Sequence, residues 1–153
     1  MKREIQITSR CSRLVYNEAA VERCLRHLDG DPRFAIPEGD LSIVFLGDEE
    51  ISELHGTYLG DSTPTDVITF PGDSDFGEAG EICVSVERAE AVHEEHGVTL
   101  SEEILLYLAH GWLHLSGYDD KSEETRLRMR KGEHEALLTL RKNTDIPGFS
   151  LPH

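Results

Sequence analysis

The sequence has few cysteines, and they form no recognisable pair. Its 153 residues include three, Cys11, Cys24 and Cys83, and no two of them are spaced as Cys-x-x-Cys. An odd number without such a pair argues against a disulfide framework and against a thiolate zinc site. We therefore expect three small buried side chains and a cytoplasmic location.

Long hydrophobic runs are also missing. The most apolar stretch, residues 104–115, is interrupted by two histidines and a glycine. It is well short of the roughly 20 residues that cross a bilayer. The first residues, MKREIQITSR, alternate charged and aliphatic side chains and lack the apolar centre of a signal peptide. These features predict a cytoplasmic protein with no membrane partner.

Basic residues are scarce, since 15 Lys and Arg stand against 30 Asp and Glu, for a net charge of −15. Taken alone, this balance argues against a nucleic-acid partner. The charge is uneven, however: residues 1–33 carry a net +2, residues 34–104 carry −17, and residues 105–153 carry zero. Because the acidity lies in the middle of the chain, the two ends can form a mildly basic surface, and charge does not exclude RNA.

No repeat, low-complexity run or Pro/Gly/Ser-rich linker divides the chain, and its length suffices for one buried core. We expect a single domain over residues 1–153, with a poorly ordered tail at residues 143–153. Short apolar strands and amphipathic helices follow one another without regular alternation, which predicts an α+β fold. The expected architecture is a small mixed sheet of about four strands packed with about five helices, with the helix around residue 110 at its centre.

The segment ILLYLAHGWLHLSGYDD, residues 104–120, contains the clearest chemical signal. His110 and His114 are one turn apart on a helix that is otherwise almost entirely apolar. That spacing lets two ring nitrogens reach one metal ion at about 2.0–2.1 Å. Two structural histidines are the alternative interpretation, but each would then need its own buried partner. The pattern favours a metal site.

A turn and two carboxylates follow this helix. Gly117 is suited to end the helix and let the chain turn back. Asp119 or Asp120 can then supply a third ligand, and spacing alone does not choose between them. Two histidines and a carboxylate form a known catalytic zinc set, which predicts a metal-dependent hydrolase. Zinc peptidases of the HExxH type carry a glutamate base directly after the first histidine; that residue here is Gly111, which argues against a metallopeptidase.

Three motifs stand in order along the chain: PTDVITFP at residues 64–71, GEICVS at residues 80–85 and HGWLHLSGYDD at residues 110–120. They resemble the PTDVLSFP, GDI-V-S and HGxLHLxGxDH motifs of the YbeY family, bacterial endoribonucleases and rRNA maturation factors. The resemblance covers roughly residues 40–135 and implies the α+β fold of that family.

The resemblance also implies a function. It implies a metal-dependent endoribonuclease that acts on single-stranded rRNA precursors in rRNA maturation and ribosome assembly. One divalent ion, expected to be zinc, would lie on His110, His114 and, by alignment with the family signature, Asp120. RNA is the implied partner, with ribosomal proteins or an assembly GTPase as further partners.

Two positions depart from the family pattern. Asp120 stands where the family has a third histidine; carboxylate oxygen is an acceptable zinc ligand but favours Mn, Fe or Mg more than imidazole does. Leu59 stands where the family has an arginine implicated in RNA chemistry, so a cation for the scissile phosphate is missing or comes from elsewhere. Both departures support an alternative, a non-catalytic ribosome-assembly or RNA-binding factor with a weakened metal site.

Three further residues are candidates for the reaction. Asp66 is a candidate general base, although a carboxylate that caps the turn before a strand is an equally good interpretation. Arg126 and Arg130 share one face of a predicted helix and are candidates for phosphate contacts. The alternative for the arginines is a solvated face paired with Glu123, Glu124 and Glu133.

Overall fold

The computed structural model describes residues 3–59 and 66–152, except for the side chains of residues 55 and 57–59. These residues form one four-stranded sheet, a second sheet of two short strands and five α-helices. In chain order the elements are β1 (Ile5–Ser9), β2 (Val15–Tyr16), α1 (Glu18–Asp29), β3 (Asp40–Leu46), α2 (Asp48–Leu59), β4 (Val67–Pro71), β5 (Glu78–Ser85), α3 (Val86–Val92), α4 (Leu100–Leu115), α5 (Glu123–Asn143) and β6 (Phe149–Ser150). The predicted α+β class is confirmed.

The main sheet has the strand order β1-β3-β5-β4. Strands β1, β3 and β5 are parallel, and the edge strand β4 is antiparallel to β5, so the sheet is mixed as predicted. The central strands bury alternate residues completely: Ile43, Phe45, Ile82 and Val84 are 0% exposed. Central parallel strands are apolar because helices cover them, which explains the sequence LSIVFL in β3.

Helix α4 packs against β4, β5 and α5 and is buried on nearly every side. It begins at a capping box: Thr99 Oγ1 accepts the Glu102 N–H, and the Glu102 carboxylate accepts the Thr99 N–H, both at 3.1 Å. Trp112 is 0% exposed and donates its indole N–H to the Phe34 carbonyl at 2.8 Å. The apolar composition of the helix therefore reflects burial.

Gly111 marks a close approach between α4 and the sheet. A Cβ at this position would lie 2.5 Å from Cγ2 of Ile82, a fully buried side chain of β5. Protein interiors are close-packed, so neither an alanine nor a larger residue fits here without movement of the Ile82 side chain or of the helix. The position therefore cannot carry the glutamate base of an HExxH peptidase, which adds a steric reason to the chemical one.

The end of the chain differs from the poorly ordered tail expected at residues 143–153. Strand β6 pairs antiparallel with β2, and Phe149 and Leu151 are only 6% and 7% exposed. The Phe149 ring lies 6.2 Å from that of Tyr16 and 5.5 Å from that of Phe45, measured between centroids. Two isolated apolar residues are too few to form a periodic pattern in the sequence. Their burial depends on partners that are distant along the chain.

The three cysteines are free thiols, two buried and Cys11 half-buried. Burial, with a contribution from the Glu81 carboxylate, raises the pKa of the Cys83 thiol to about 12. A buried, protonated thiol is neither a nucleophile nor a metal ligand. In the described part of the chain, no helix is long and apolar enough to span a membrane.

Replacing Gly111 with alanine should lower the free energy of unfolding by about 1–2 kcal/mol, because overpacking against Ile82 outweighs the gain in helix propensity. Urea denaturation measures the change. Gly148→Ala is the control, since a Cβ there has no heavy atom within 4 Å and should leave stability unchanged. Equal denaturation midpoints for the two variants would contradict the close approach of α4 to β5.

Candidate metal centre

The imidazoles of His110 and His114 meet near the C-terminal end of α4. Their Nε2 atoms are 3.0 Å apart, and Asp120 Oδ2 lies 3.7 Å from each. Ligand atoms of a tetrahedral zinc ion are separated by about 3.3 Å when each is about 2.0–2.1 Å from the metal. The observed separations bracket that value, so small side-chain movements suffice to place all three atoms on one ion. Among the described residues, this is the one group of three side chains with such convergence.

The loop between α4 and α5 returns Asp120 to the histidines. Gly117 adopts a positive φ of 103° and donates its N–H to the His114 carbonyl at 3.1 Å, which ends the helix as predicted. Helix α5 then begins after Ser122, whose side chain accepts the Thr125 N–H. Of the two carboxylates left open by spacing, the structure brings Asp120 to the histidines. Asp119 instead accepts the Lys121 N–H at 3.1 Å.

The second nitrogen of each ring has a hydrogen-bond acceptor. His110 Nδ1 lies 2.6 Å from Glu133 Oε2, and His114 Nδ1 lies 3.1 Å from the carbonyl of Tyr118. Because both partners accept, each Nδ1 carries a hydrogen and each Nε2 has its lone pair available. Metal-binding histidines typically coordinate the ion through one ring nitrogen and donate a hydrogen bond from the other, as the geometry here allows.

The two rings differ in their affinity for protons. Burial opposes a charge on His110, but the hydrogen bond and negative charge of Glu133, together with Asp66 and Asp120, outweigh it and raise the pKa of the ring. Burial and the positive charge of His110 lower the pKa of His114. Two Nε2 lone pairs this close repel each other unless a proton or cation lies between them. A bound cation would relieve this repulsion, as would a proton shared by the two nitrogens.

Glu133 is the site residue that sequence analysis missed. The alternative interpretation of the arginines places Glu133 on a solvated helix face, but its side chain is only 18% exposed and contacts His110. The packing of α5 against α4 brings the two residues together across 23 positions in the chain. No local spacing signals such a contact.

A cleft of about 200 Å³ lies beside the histidines. It is lined by His110, Asp120 and Glu133 and also by the predicted site residues Asp66, Arg126 and Arg130. The structure thus brings every predicted site residue except His114 to this one cleft, with His114 in direct contact with His110.

The roles of Asp66 and the arginines remain predictions, but their contacts are defined. Asp66 Oδ1 accepts the Val67 N–H at 2.8 Å, so it caps the start of β4 while lining the cleft, consistent with both interpretations. Arg126 Nη1 lies 3.4 Å from the carbonyl of Asp120. The helix-face ion pair with Glu124 belongs to Arg128.

Two sequence features fall outside what the structure describes. Leu59 ends α2, and its side chain lies outside those that the structure describes. Pro64 and Thr65, the first residues of the PTDVITFP motif, also lie outside the described residues.

Fold and site together define a class of protein: an α+β protein whose buried helix presents a His/His/Asp set suited to one divalent ion. The family model described as Endoribonuclease YbeY matches residues 4–141. The chain therefore belongs to the YbeY family, and the resemblance drawn from the three motifs is confirmed.

Individual relatives agree with this assignment. A protein from Protochlamydia amoebophila named Endoribonuclease YbeY is 39% identical over 107 residues, covering 67% of this chain and 71% of that protein. One of the same name from Geobacter sulfurreducens is 33% identical over 114 residues, covering 70% and 76%. The solution structure of a protein from Thermotoga maritima matches with a TM-score of 0.59 and 28% identity, covering 91% of this chain and 93% of that one.

Glu133→Gln should weaken divalent-metal affinity about 10- to 100-fold, because His110 loses the charged acceptor that orients its ring. Competition with a chromophoric chelator measures the affinity. Glu124→Gln is the matched control, since Glu124 lies on the same helix, is exposed and pairs with Arg128. If both variants bind metal as tightly as the wild type, Glu133 does not orient His110.

Proposed function

We propose that this chain is a metal-dependent endoribonuclease that cleaves single-stranded RNA during rRNA maturation. The observation that carries the proposal is the convergence of His110, His114 and Asp120, whose ligand atoms lie within 3.7 Å of one another beside a cleft that contains two arginines. The relatives named Endoribonuclease YbeY support RNA as the substrate.

We propose zinc as the ion, because two imidazoles and one carboxylate with a fourth position open form a catalytic zinc set. The carboxylate of Asp120 would let Mn or Fe compete more effectively than a third histidine would. When bound, the ion would supply a Lewis acid and lower the pKa of a bound water.

The protein side chains would hold the RNA and handle protons. Arg126 and Arg130 lie on one wall of the cleft, where their guanidinium groups can pair with phosphate oxygens. They would supply the cations that the family obtains in part from the arginine replaced here by Leu59. Asp66 has an exposed carboxylate in the same cleft and is proposed as the group that accepts a proton from the attacking water.

A second candidate is a ribosome-assembly factor without catalytic activity. The observation in its favour is the exposure of Asp120, whose side chain is 46% accessible and is therefore a weakly constrained ligand. Under either function, ribosomal proteins or an assembly GTPase would be the protein partners, and the cytoplasm the location. A metallopeptidase is disfavoured by Gly111.

Purified wild-type protein should contain about one divalent ion per chain, and His114→Ala and Asp120→Ala should lose both the ion and RNA cleavage. Elemental analysis measures the ion, and a labelled single-stranded RNA with and without chelator measures cleavage. Asp119→Ala is the matched control and should retain both. Retention of the ion by Asp120→Ala but not by Asp119→Ala would reverse the ligand assignment. A bound ion with RNA left intact at every metal tried would favour the assembly factor.

Arg126→Ala and Arg130→Ala should each weaken binding to single-stranded RNA and reduce the slope of log K against log salt by about 0.7, because each removes one phosphate contact. Fluorescence anisotropy across a salt series measures both effects. Arg128→Ala is the control: it removes an equal charge from the same helix but not from the cleft. Identical slopes for the three variants would place the RNA elsewhere.

A further inference from the structure

The cleft contains a second cluster of titratable side chains, which the proposed reaction does not use: His96, Glu103 and Tyr107. Glu103 is only 1% exposed. Both of its carboxylate oxygens lie 2.9 Å from His96 Nδ1. Tyr107 also hydrogen-bonds to Glu103, and burial together with this bond raises the pKa of the tyrosine. A buried carboxylate is unfavourable unless it is well hydrogen-bonded, and here both neighbours supply donors.

This cluster lies on the same stripe of α4 as the metal-site histidines. Glu103, Tyr107, His110 and His114 are spaced so that they follow one another along one side of the helix. Glu103 and His110 are seven positions apart, a distance of about 10 Å along the helix axis. One phosphate cannot contact both ends of this stripe. A nucleotide next to the scissile phosphate can reach the end of the stripe that carries Glu103.

His96 is the accessible member of the cluster. Its backbone N–H donates to the Val92 carbonyl at 3.2 Å, and Gly97 follows with a positive φ of 71°. The side chain is 52% exposed and lines the cleft, whereas Glu103 behind it is buried. Nδ1 faces the carboxylate and donates to it. When the ring carries this one hydrogen, Nε2 is left as a hydrogen-bond acceptor.

An acceptor in this position requires a donor on the ligand. Phosphodiester oxygens only accept, and the donors on bases vary with sequence. The ribose 2′-hydroxyl can donate at every nucleotide of RNA and is absent from DNA. We propose that His96, oriented by Glu103, binds the 2′-hydroxyl of a nucleotide that adjoins the scissile phosphate. This inference rests on the proposed RNA cleavage and adds to it a means of selecting RNA over DNA.

A set of single-stranded RNA oligonucleotides, each with one 2′-deoxy nucleotide, tests the contact. With the wild type, deoxy substitution at one position near the cleavage site should reduce affinity and cleavage roughly 3- to 10-fold, the effect of one hydrogen bond. When His96→Ala is tested, the deoxy nucleotide at that position should cause no further loss of affinity or cleavage. A double-mutant cycle requires this result for a direct contact. Cleavage is measured on the metal-loaded protein and affinity on the same protein after chelation.

Two further variants keep the test interpretable. His96→Arg offers donors to Glu103 but no acceptor, so it should behave as His96→Ala does even if the alanine variant folds poorly. His93→Ala is the matched control, because His93 lies one turn earlier, bonds to the Val98 carbonyl at 2.9 Å and does not line the cleft. It should keep the full deoxy effect.

The outcomes separate this inference from the proposed function. If the wild type and His96→Ala respond equally to every deoxy substitution, His96 binds no hydroxyl and the inference is overturned. If the loss of affinity caused by His96→Ala depends on base identity rather than on the 2′ position, the inference is overturned in favour of a contact to a base. If the wild type shows the deoxy effect in binding but cleaves no RNA at any metal tried, the proposed reaction fails while the subsite is supported.

Discussion

Helix α4 is buried on nearly every side and still carries, besides the capping residue Glu102, four titratable side chains: Glu103, Tyr107, His110 and His114. It can do so because these residues occupy a stripe about 60° wide, at 100° of rotation per residue. Trp112 projects from the opposite side of the helix into the core, and Gly111 lets the backbone approach Ile82. A wider polar stripe would remove apolar area from the core, and a larger residue at position 111 would lift the helix from the sheet. The remaining functional groups are therefore brought to the stripe by other elements: Glu133 by α5, Asp120 by the loop before it, and His96 by the turn before α4.

The histidines of the metal site are held by hydrogen bonds to their Nδ1 atoms, on the side of each ring that faces away from the ion position. Glu133 and the Tyr118 carbonyl fix the hydrogens on the two Nδ1 atoms, and this fixes the direction of both Nε2 lone pairs before any ion arrives. Asp120 is more exposed and is held mainly by the loop between two capped helix ends. The two histidines therefore form the rigid part of the site, and Asp120 forms the adjustable part. Such a division suits an ion that must accept an additional ligand during a reaction.

How much could be read from the sequence depended on the distance between interacting residues. The two histidines and the aspartates lie within one short segment, so helix periodicity and a terminating glycine were enough to predict that a carboxylate returns to His110 and His114. The choice of Asp120 over Asp119 came from the family resemblance. Contacts between distant segments were not accessible: Glu133 reaches His110 only when α5 packs on α4, and β6 is buried only when β2 lies beside it. Glu103 did leave a signal, since it is an acidic residue on the histidine stripe of an apolar helix, but that signal cannot identify His96 as its partner.

The charge of the cleft links metal binding to RNA binding. Its lining includes four carboxylates, Asp66, Glu103, Asp120 and Glu133, but only two guanidinium groups. With its histidines neutral, the cleft therefore has a formal excess of two negative charges and repels a phosphate. A divalent ion on His110, His114 and Asp120 would cancel that excess, so RNA would bind more tightly to the loaded protein even where it does not touch the ion. By linkage, bound RNA would raise the affinity for the ion by the same factor. The large acidic excess of residues 34–104 would then be compatible with an RNA substrate, because the bound ion would add to the two arginines the positive charge that the cleft lacks.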